Sequence, residues 1–415
     1  MTPQLPSPKP SRRGVLAGAG ALGLSVQFLA RPANAAAVAS NKLIVVICRG
    51  GMDGLTVSPP VGDPDYAGLR GQIALGPEAL KLDGTFALHP SLASVHALAQ
   101  AGQARIAPAI ATPDRARSHF EAQDVLESGA AAVYGAPSGW LNRAVGAMGA
   151  GKVSALSVGP TAPLILRGPA AFASWSPGRT VDASARLPTL LQDLYRNDPL
   201  LGPALARGLA TETMAQEAMT GIASPTASMS GASTDKPAAY GQRQGQEAAG
   251  NLGQTLAGFM REANGPQIAA LSLDGFDTHA NEGAAQGQLA ARLGYLDAVL
   301  DGIHTGLGPE WKDTVVLVAT EFGRTARVNG TGGTDHGTAS TALVLGGGLK
   351  RGGVVGDWPG LKQSALFENR DLAPTLDMRS LFKGVLADHL GVDHAALEKT
   401  VFPDSASARP LTGLV

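Results

Sequence analysis

Directly after the apolar run Val315–Ala319, the chain carries Glu321, Arg324, Asp335 and His336, the last two behind a loop with Asn329, Gly330, Gly332 and Gly333. A valine-rich run of this kind predicts a strand covered on both faces. In open α/β sheets, ligands gather beyond the carboxyl ends of such strands. Glu321 and Asp335 could hold a divalent cation there, or the cluster could be a surface salt-bridge network. His336 adds an imidazole, and the Arg324 guanidinium suits an oxyanion.

Three other places repeat this design of an apolar strand followed by a polar loop. Asp53 closes Arg49-Gly-Gly-Met-Asp53-Gly after the run Leu43–Cys48. It suits a cation, or simply an Asp-Gly turn. Ser118 stands at an expected helix start, where the positive end of the helix dipole favours an anion and could activate a nucleophile. Ser118-x-x-Glu121 also matches a capping box, and the two roles can coexist. Asp277 and His279 share the loop after Ile268–Leu273. Oxygen and nitrogen ligands together suit zinc, manganese or iron. His89, His96, His304, His389 and His394 lie in helical or turn-like segments without acidic motifs, so packing or solvent contact is their expected role. The chain has no Gly-x-Ser-x-Gly elbow, P-loop or His-Glu-x-x-His, which leaves three common enzyme classes unsupported.

The elements that must position these residues follow from periodicity. Strands are expected at Leu43–Cys48, Arg105–Ile110, Ala155–Val158, Ile268–Leu273, Val315–Ala319 and Ala342–Leu345. Helical patterns cover Gln244–Glu262, Gln286–Ile303 and Ser380–Leu390, with a further helix from about Ser118. This alternation predicts an α/β fold with a mainly parallel central sheet. Residues 219–242 are Ala, Ser, Thr and Gly with little to bury, and read as a flexible insertion in a single domain spanning 36–415.

The first 35 residues read as an address. Arg12-Arg13 precedes a weakly apolar run, and Ala33-Asn34-Ala35 supplies a small-residue cleavage site, as in a twin-arginine signal peptide. Gly18-x-Gly20-x-x-Gly23 within it follows no strand, so its match to a dinucleotide fingerprint is accidental. The segment holds four basic residues and no acid, so the remainder is more acidic than the formal net charge of −1. Nucleic-acid binding is not expected, because its binders usually carry a basic stripe. No later apolar run reaches the roughly 18 residues of a membrane span. Cys48, the sole cysteine, excludes an intramolecular disulfide and fits a packed core position. A periplasmic or otherwise exported protein, delivered by the twin-arginine machinery, is the expectation.

The order Asp53, Ser118, Asp277/His279, Glu321 and His336-Gly-Thr resembles the alkaline phosphatase-like superfamily. That resemblance implies a three-layer sandwich with a mainly parallel sheet, one or two divalent metals at the strand ends, and a Ser or Thr nucleophile. Carried over, Asp53 is the first metal ligand, Ser118 the nucleophile, and Asp277, His279 and His336 hold one metal. Where the superfamily usually carries Asp-His after the late strand, this chain has Glu321-Phe322, and Asp277 and His279 stand closer together than usual. Losing the His of the late pair weakens the second metal site most, leaving a one-metal site or a degenerate pocket as alternatives. A closer resemblance spans nearly the whole chain beyond the signal. Arg49–Leu55, Arg117–Asp124, Gly139–Arg143, Phe276–His279, Thr320–Thr325, Gly333–Thr338 and Gly356–Gly360 match phrases of the exported bacterial family known as domain of unknown function 1501.

The expected activity is metal-dependent hydrolysis of a small anionic phosphate or sulfate ester. Ser118 would attack, Arg324 would stabilise charge, and Asp53, Asp277, His279, Glu321 and His336 would hold the metal. Asp335 would be a further ligand or would orient His336. The alternatives are an accessory protein that captures a metal or anion without turnover, and a purely structural or partner-binding role.

Overall fold

The computed structural model describes residues 41–149, 153–159, 161–177, 203–211 and 238–415, together with Tyr195 and Asp198. The expected signal peptide and residues 219–237 of the expected insertion lie outside the described residues. The insertion's last part, 238–242, belongs to a helix that runs Ala238–Arg261.

The strands are β1 (Lys42–Cys48), β2 (Leu80–Lys81), β3 (Ala87–Leu88), β4 (Ala104–Ala111), β5 (Ala155–Val158), β6 (Ala173–Trp175), β7 (Ile268–Leu273), β8 (Thr314–Ala319), β9 (Ser340–Leu345), β10 (Gly353–Val354) and β11 (Leu376–Asp377). The helices used below are α1 (Gly54–Val57), α2 (Tyr66–Arg70), α3 (Ala93–Gln100), α4 (His119–Ser128), α5 (Trp140–Ala147), α6 (Ala238–Arg261), α7 (Gln288–Leu307) and α8 (Met378–Asp388). Each expected strand is present, and α4 begins one residue after Ser118.

The main sheet runs β10-β4-β9-β8-β1-β7-β5-β6, with β11 also on β4. β1 pairs in parallel with β7 and β8, Val45 lying opposite Ala270 on one side and Leu317 on the other. β9 runs against the rest, antiparallel to both β4 and β8. This reversal matters for the site. The chain enters β9 at the same margin where β1, β7 and β8 end.

Alternation along β1 explains the three layers. Ile44, Val46 and Cys48 face a core with Val95, Leu256, Leu293 and Leu300, from α3, α6 and α7. Leu43, Val45 and Ile47 face a second core with Leu141, Leu381, Phe382 and Phe402, on the side of α5 and α8. Burying each such aliphatic side chain is worth about 1.5–3 kcal/mol, against about 0–1 kcal/mol for an exposed ion pair. Packing on both faces therefore sets the strand positions. Cys48 is fully buried and burial pushes its thiol pKa up, as a core residue rather than a nucleophile requires. Among the described residues, no helix is long and apolar enough to cross a membrane.

Asp53 follows β1 but does not face the other candidate ligands. Its Oδ1 caps α1 by accepting from Leu55 N–H at 2.9 Å, and its Oδ2 pairs with the fully buried Arg70. Glu282 lies 3.5 Å from the same guanidinium. The expectation that Asp53 holds the metal is corrected accordingly: its two oxygens serve a helix cap and a buried ion pair. Burial, and next the charge of Asp53, push the Glu282 carboxyl up to about 7.

The sign of the pH effect follows. An unfolded carboxyl titrates near 4.3, so above that pH the folded state holds a proton the unfolded state has lost. Stability is expected to fall as pH rises from about 4.3 towards 7 and to level off once Glu282 is ionised in both states. Urea unfolding midpoints across this range check it, and Glu282→Gln is expected to flatten the slope.

Candidate metal centre

Three loops and one helix start meet at the sheet margin. After β8 the chain turns back so that Gly323 and Thr325 bond to the segment entering β9. Gly337 N–H donates to Gly323 O at 2.8 Å, and Thr325 N–H to Asp335 O at 2.9 Å. The loop after β7 lies alongside, with Thr334 N–H donating to Thr278 O at 3.2 Å and Glu282 N–H to Gly332 O at 3.0 Å. Two glycines allow this approach. A Cβ on Gly50, at φ +117°, would sit 2.5 Å from Asp277 N, and one on Gly333 2.4 Å from the His279 carbonyl carbon.

Histidines 119, 279 and 336 converge on Asp277. His119 Nε2 lies 3.4 Å from Asp277 Oδ2, while His279 Nε2 and His336 Nε2 lie 3.1 and 3.3 Å from Oδ1. The Nε2 atoms of His279 and His336 are 3.0 Å apart. Each ring is held from behind through Nδ1: His119 by Glu321 Oε1 at 2.9 Å, His279 by Asp335 Oδ1 at 3.3 Å, and His336 by Arg117 O at 2.9 Å. An acceptor at Nδ1 places the proton there and leaves the Nε2 lone pair facing the centre, the usual arrangement behind metal-bound histidines.

Metal–nitrogen distances of about 2.0–2.1 Å in a tetrahedral shell imply ligand spacings of about 3.3–3.4 Å. The distances here fall within a few tenths of an ångström of that. The Nε2 of His119 is buried with no hydrogen-bond partner among the described residues, and two Nε2 atoms facing each other lack a proton to share once Nδ1 carries it. His119, Asp277 and His336 place their donor atoms within 4.8 Å of one another, with His279 beside them. These residues fit a divalent cation.

The hydrogen bond to Glu321 raises the His119 pKa. Burial lowers that of His336, and the Arg324 and His119 charges lower it further. Burial alone would raise the Asp277 pKa, but the Arg324 guanidinium holds it below the usual carboxylate range.

The sequence-predicted residues divide into two groups. Asp277, His279 and His336 come together. Glu321 stands behind the centre: fully buried, its Oε1 accepts from Gly50 N–H at 2.8 Å, His119 Nδ1 at 2.9 Å and Gln123 Nε2 at 3.2 Å. It holds the His119 ring from behind instead of facing the cluster. Asp335 likewise backs a histidine, His279 instead of the expected His336.

Arg324 is 1% exposed. Its Nε donates to Gly51 O at 2.7 Å, its Nη1 to Thr334 O at 3.0 Å, and its Nη2 to Gly50 O at 2.5 Å, Phe276 O at 3.2 Å and the Asp277 carboxylate. The expected oxyanion clamp is corrected: each of its three nitrogens donates to a protein oxygen, and the side chain is buried.

Ser118 lies next to His119 and follows Arg117, whose carbonyl accepts from His336. Its side chain makes no capping bond at the start of α4, so the expected capping box does not form and the hydroxyl is not committed to the helix. His119 escaped the sequence reading. Its position, one residue past Ser118 at a helix start after a strand, was the available signal. Phe322 packs its ring 4.9 Å from both His119 and His336.

A family model described as "Protein of unknown function (DUF1501)" matches residues 40–401. Among curated proteins, no sequence matches the chain. The phosphonate monoester hydrolase of Agrobacterium radiobacter aligns at 14% identity and a TM-score of 0.37, over 85% of this chain and 74% of that one. The lipoteichoic acid synthase LtaP from Listeria monocytogenes aligns at 8% and 0.39, over 88% and 76%. Ps i-CgsB in complex with k-i-k-neocarrahexaose aligns at 10% and 0.35, over 89% and 77%. Likeness at this level assigns no reaction.

Arg324→Met is expected to destabilise the protein by about 3–5 kcal/mol, the scale for removing one partner from a buried charged network. Lysine, without the planar fork, is expected not to restore it. Denaturant unfolding midpoints of the three proteins provide the check.

Proposed function

The chain belongs to the DUF1501 family, described as being of unknown function, and for this member we propose an exported, divalent-metal-dependent hydrolase of phosphate or sulfate esters. The observation that carries the reading is the convergence of three Nδ1-held histidines, His119, His279 and His336, on the carboxylate of Asp277. These four residues would hold the cation, which when bound polarises an ester oxygen and offsets the charge of the anionic group. Ser118 Oγ attacks the phosphorus or sulfur, the alcohol leaves with a proton, and water then cleaves the ester formed on Ser118. The start of α4 places partial positive charge beside that oxygen. Glu321 and Asp335 keep His119 and His279 in their orientation throughout. Export by the twin-arginine machinery rests on Arg12-Arg13 and the small-residue site at Ala33–Ala35.

A second reading, capture of a metal or anion without turnover, is favoured by Arg324, whose three guanidinium nitrogens each donate to a protein oxygen. Arg117, near the centre, is likewise paired with Asp371 and Glu368.

Metal analysis of the purified protein is expected to find about one divalent ion per chain, lost in His336→Ala. With aryl phosphate and aryl sulfate substrates, Ser118→Ala is expected to lower kcat/KM roughly a thousandfold or more, the scale for loss of a covalent nucleophile, while retaining the metal. Full activity in Ser118→Ala would remove it as nucleophile. Metal uptake without turnover on any ester would favour the second reading.

A further inference from the structure

Glu282 is a fully buried carboxylate that takes no part in the centre, three residues past His279. Its Oε2 accepts the hydroxyls of Thr278 at 3.0 Å and Thr334 at 2.8 Å. Thr278 stands between Asp277 and His279, and Thr334 immediately precedes Asp335 and His336. Its Oε1 accepts the Thr56 hydroxyl at 3.0 Å and lies 3.5 Å from the Arg70 guanidinium, which pairs with Asp53.

The two halves of the centre are thereby referred to one segment of chain. His119 is oriented by Glu321, which is anchored on Gly50 N–H, just after β1. His279 and His336 come from two loops already joined to each other by the backbone bond from Thr334 to Thr278. That bond fixes the loops as a pair, which Arg324 ties to Gly50 and Gly51 on one side and the bond from His336 to Arg117 O ties to the start of α4; neither contact reaches the segment beyond Asp53. Glu282 ties the pair to Thr56 and to the Arg70–Asp53 ion pair, a few residues beyond Gly50. Because the ligand spacings are close to those a metal shell needs, shifts of a few tenths of an ångström between the halves matter.

Resting on the reading of the centre as a metal site, we propose that Glu282 is a further positioning residue, a brace acting through the hydroxyls of Thr278 and Thr334 that adds to Arg324 in holding the two ligand-bearing loops in register with His119. A buried acid kept only for packing would affect folding and leave the metal shell unchanged.

The test is titration of the purified full chain with Co²⁺, read by affinity and by the visible absorption of the bound ion, beside circular dichroism for folding. Thr278→Val and Thr334→Val remove only the hydroxyl bonds, and serine at each position retains them. Glu282→Gln and both valine variants are expected to fold, bind Co²⁺ about tenfold or more weakly, the scale for outer-shell partners, and show a shifted spectrum. Both serine variants are expected to keep wild-type affinity and spectrum. Wild-type behaviour in the folded valine and glutamine variants, or an equal loss in the serine variants, overturns the brace alone. Absence of Co²⁺ binding by the unsubstituted protein overturns the metal centre and the brace with it. If Glu282→Gln fails to fold, the valine variants decide.

Discussion

The guanidinium of Arg324 binds together the loops that end β1 and β7 and the segment leading into β9. It does so because those loops bring the carbonyl oxygens of Gly50, Gly51, Phe276 and Thr334 to one buried point. Buried carbonyls without partners are costly. A planar group with five donors answers several at once, and the Asp277 carboxylate compensates its charge. The same arrangement engages Arg324 with protein oxygens and holds the Asp277 pKa below the usual carboxylate range.

Around this anchor the centre is assembled from distant stretches of chain. His119 comes from the start of α4, Asp277 and His279 from the loop after β7, and His336 from the approach to β9. The reversed direction of β9 brings its entering segment to the margin where the parallel strands end. Nδ1 acceptors then turn all three rings the same way. Glu321, buried and held by hydrogen bonds from His119, Gly50 and Gln123, has its pKa kept low although burial alone would raise it. It is an ionised partner for His119, and not a free ligand.

Much of this was legible in residue order. The apolar runs at Leu43–Cys48, Ile268–Leu273 and Val315–Ala319 are strands, because side chains buried on both faces leave a continuous hydrophobic record. The polar residues after them lie at the functional margin, and Asp277, His279 and His336 meet there. Other roles were misread for physical reasons. Arg324 and Glu321 look like ligands or clamps in sequence, since side-chain type does not say whether its hydrogen bonds go to substrate or to protein. Asp53 looked like a ligand because Arg70, its partner, is recognisable only once α2 folds back on it. His119 was overshadowed by Ser118.

The sequence by itself determined the α/β layering and the strand ends at which polar residues collect, since periodicity and burial are local consequences of residue type. It also determined the chemical inventory, rich in carboxylates and imidazoles with one cysteine. Only the tertiary structure decided which of those groups face the centre and which stand behind it. That division depends on distances of about 3 Å between residues far apart in the chain, and on whether each donor is already used by a backbone oxygen. Neither quantity is written in the order of residues.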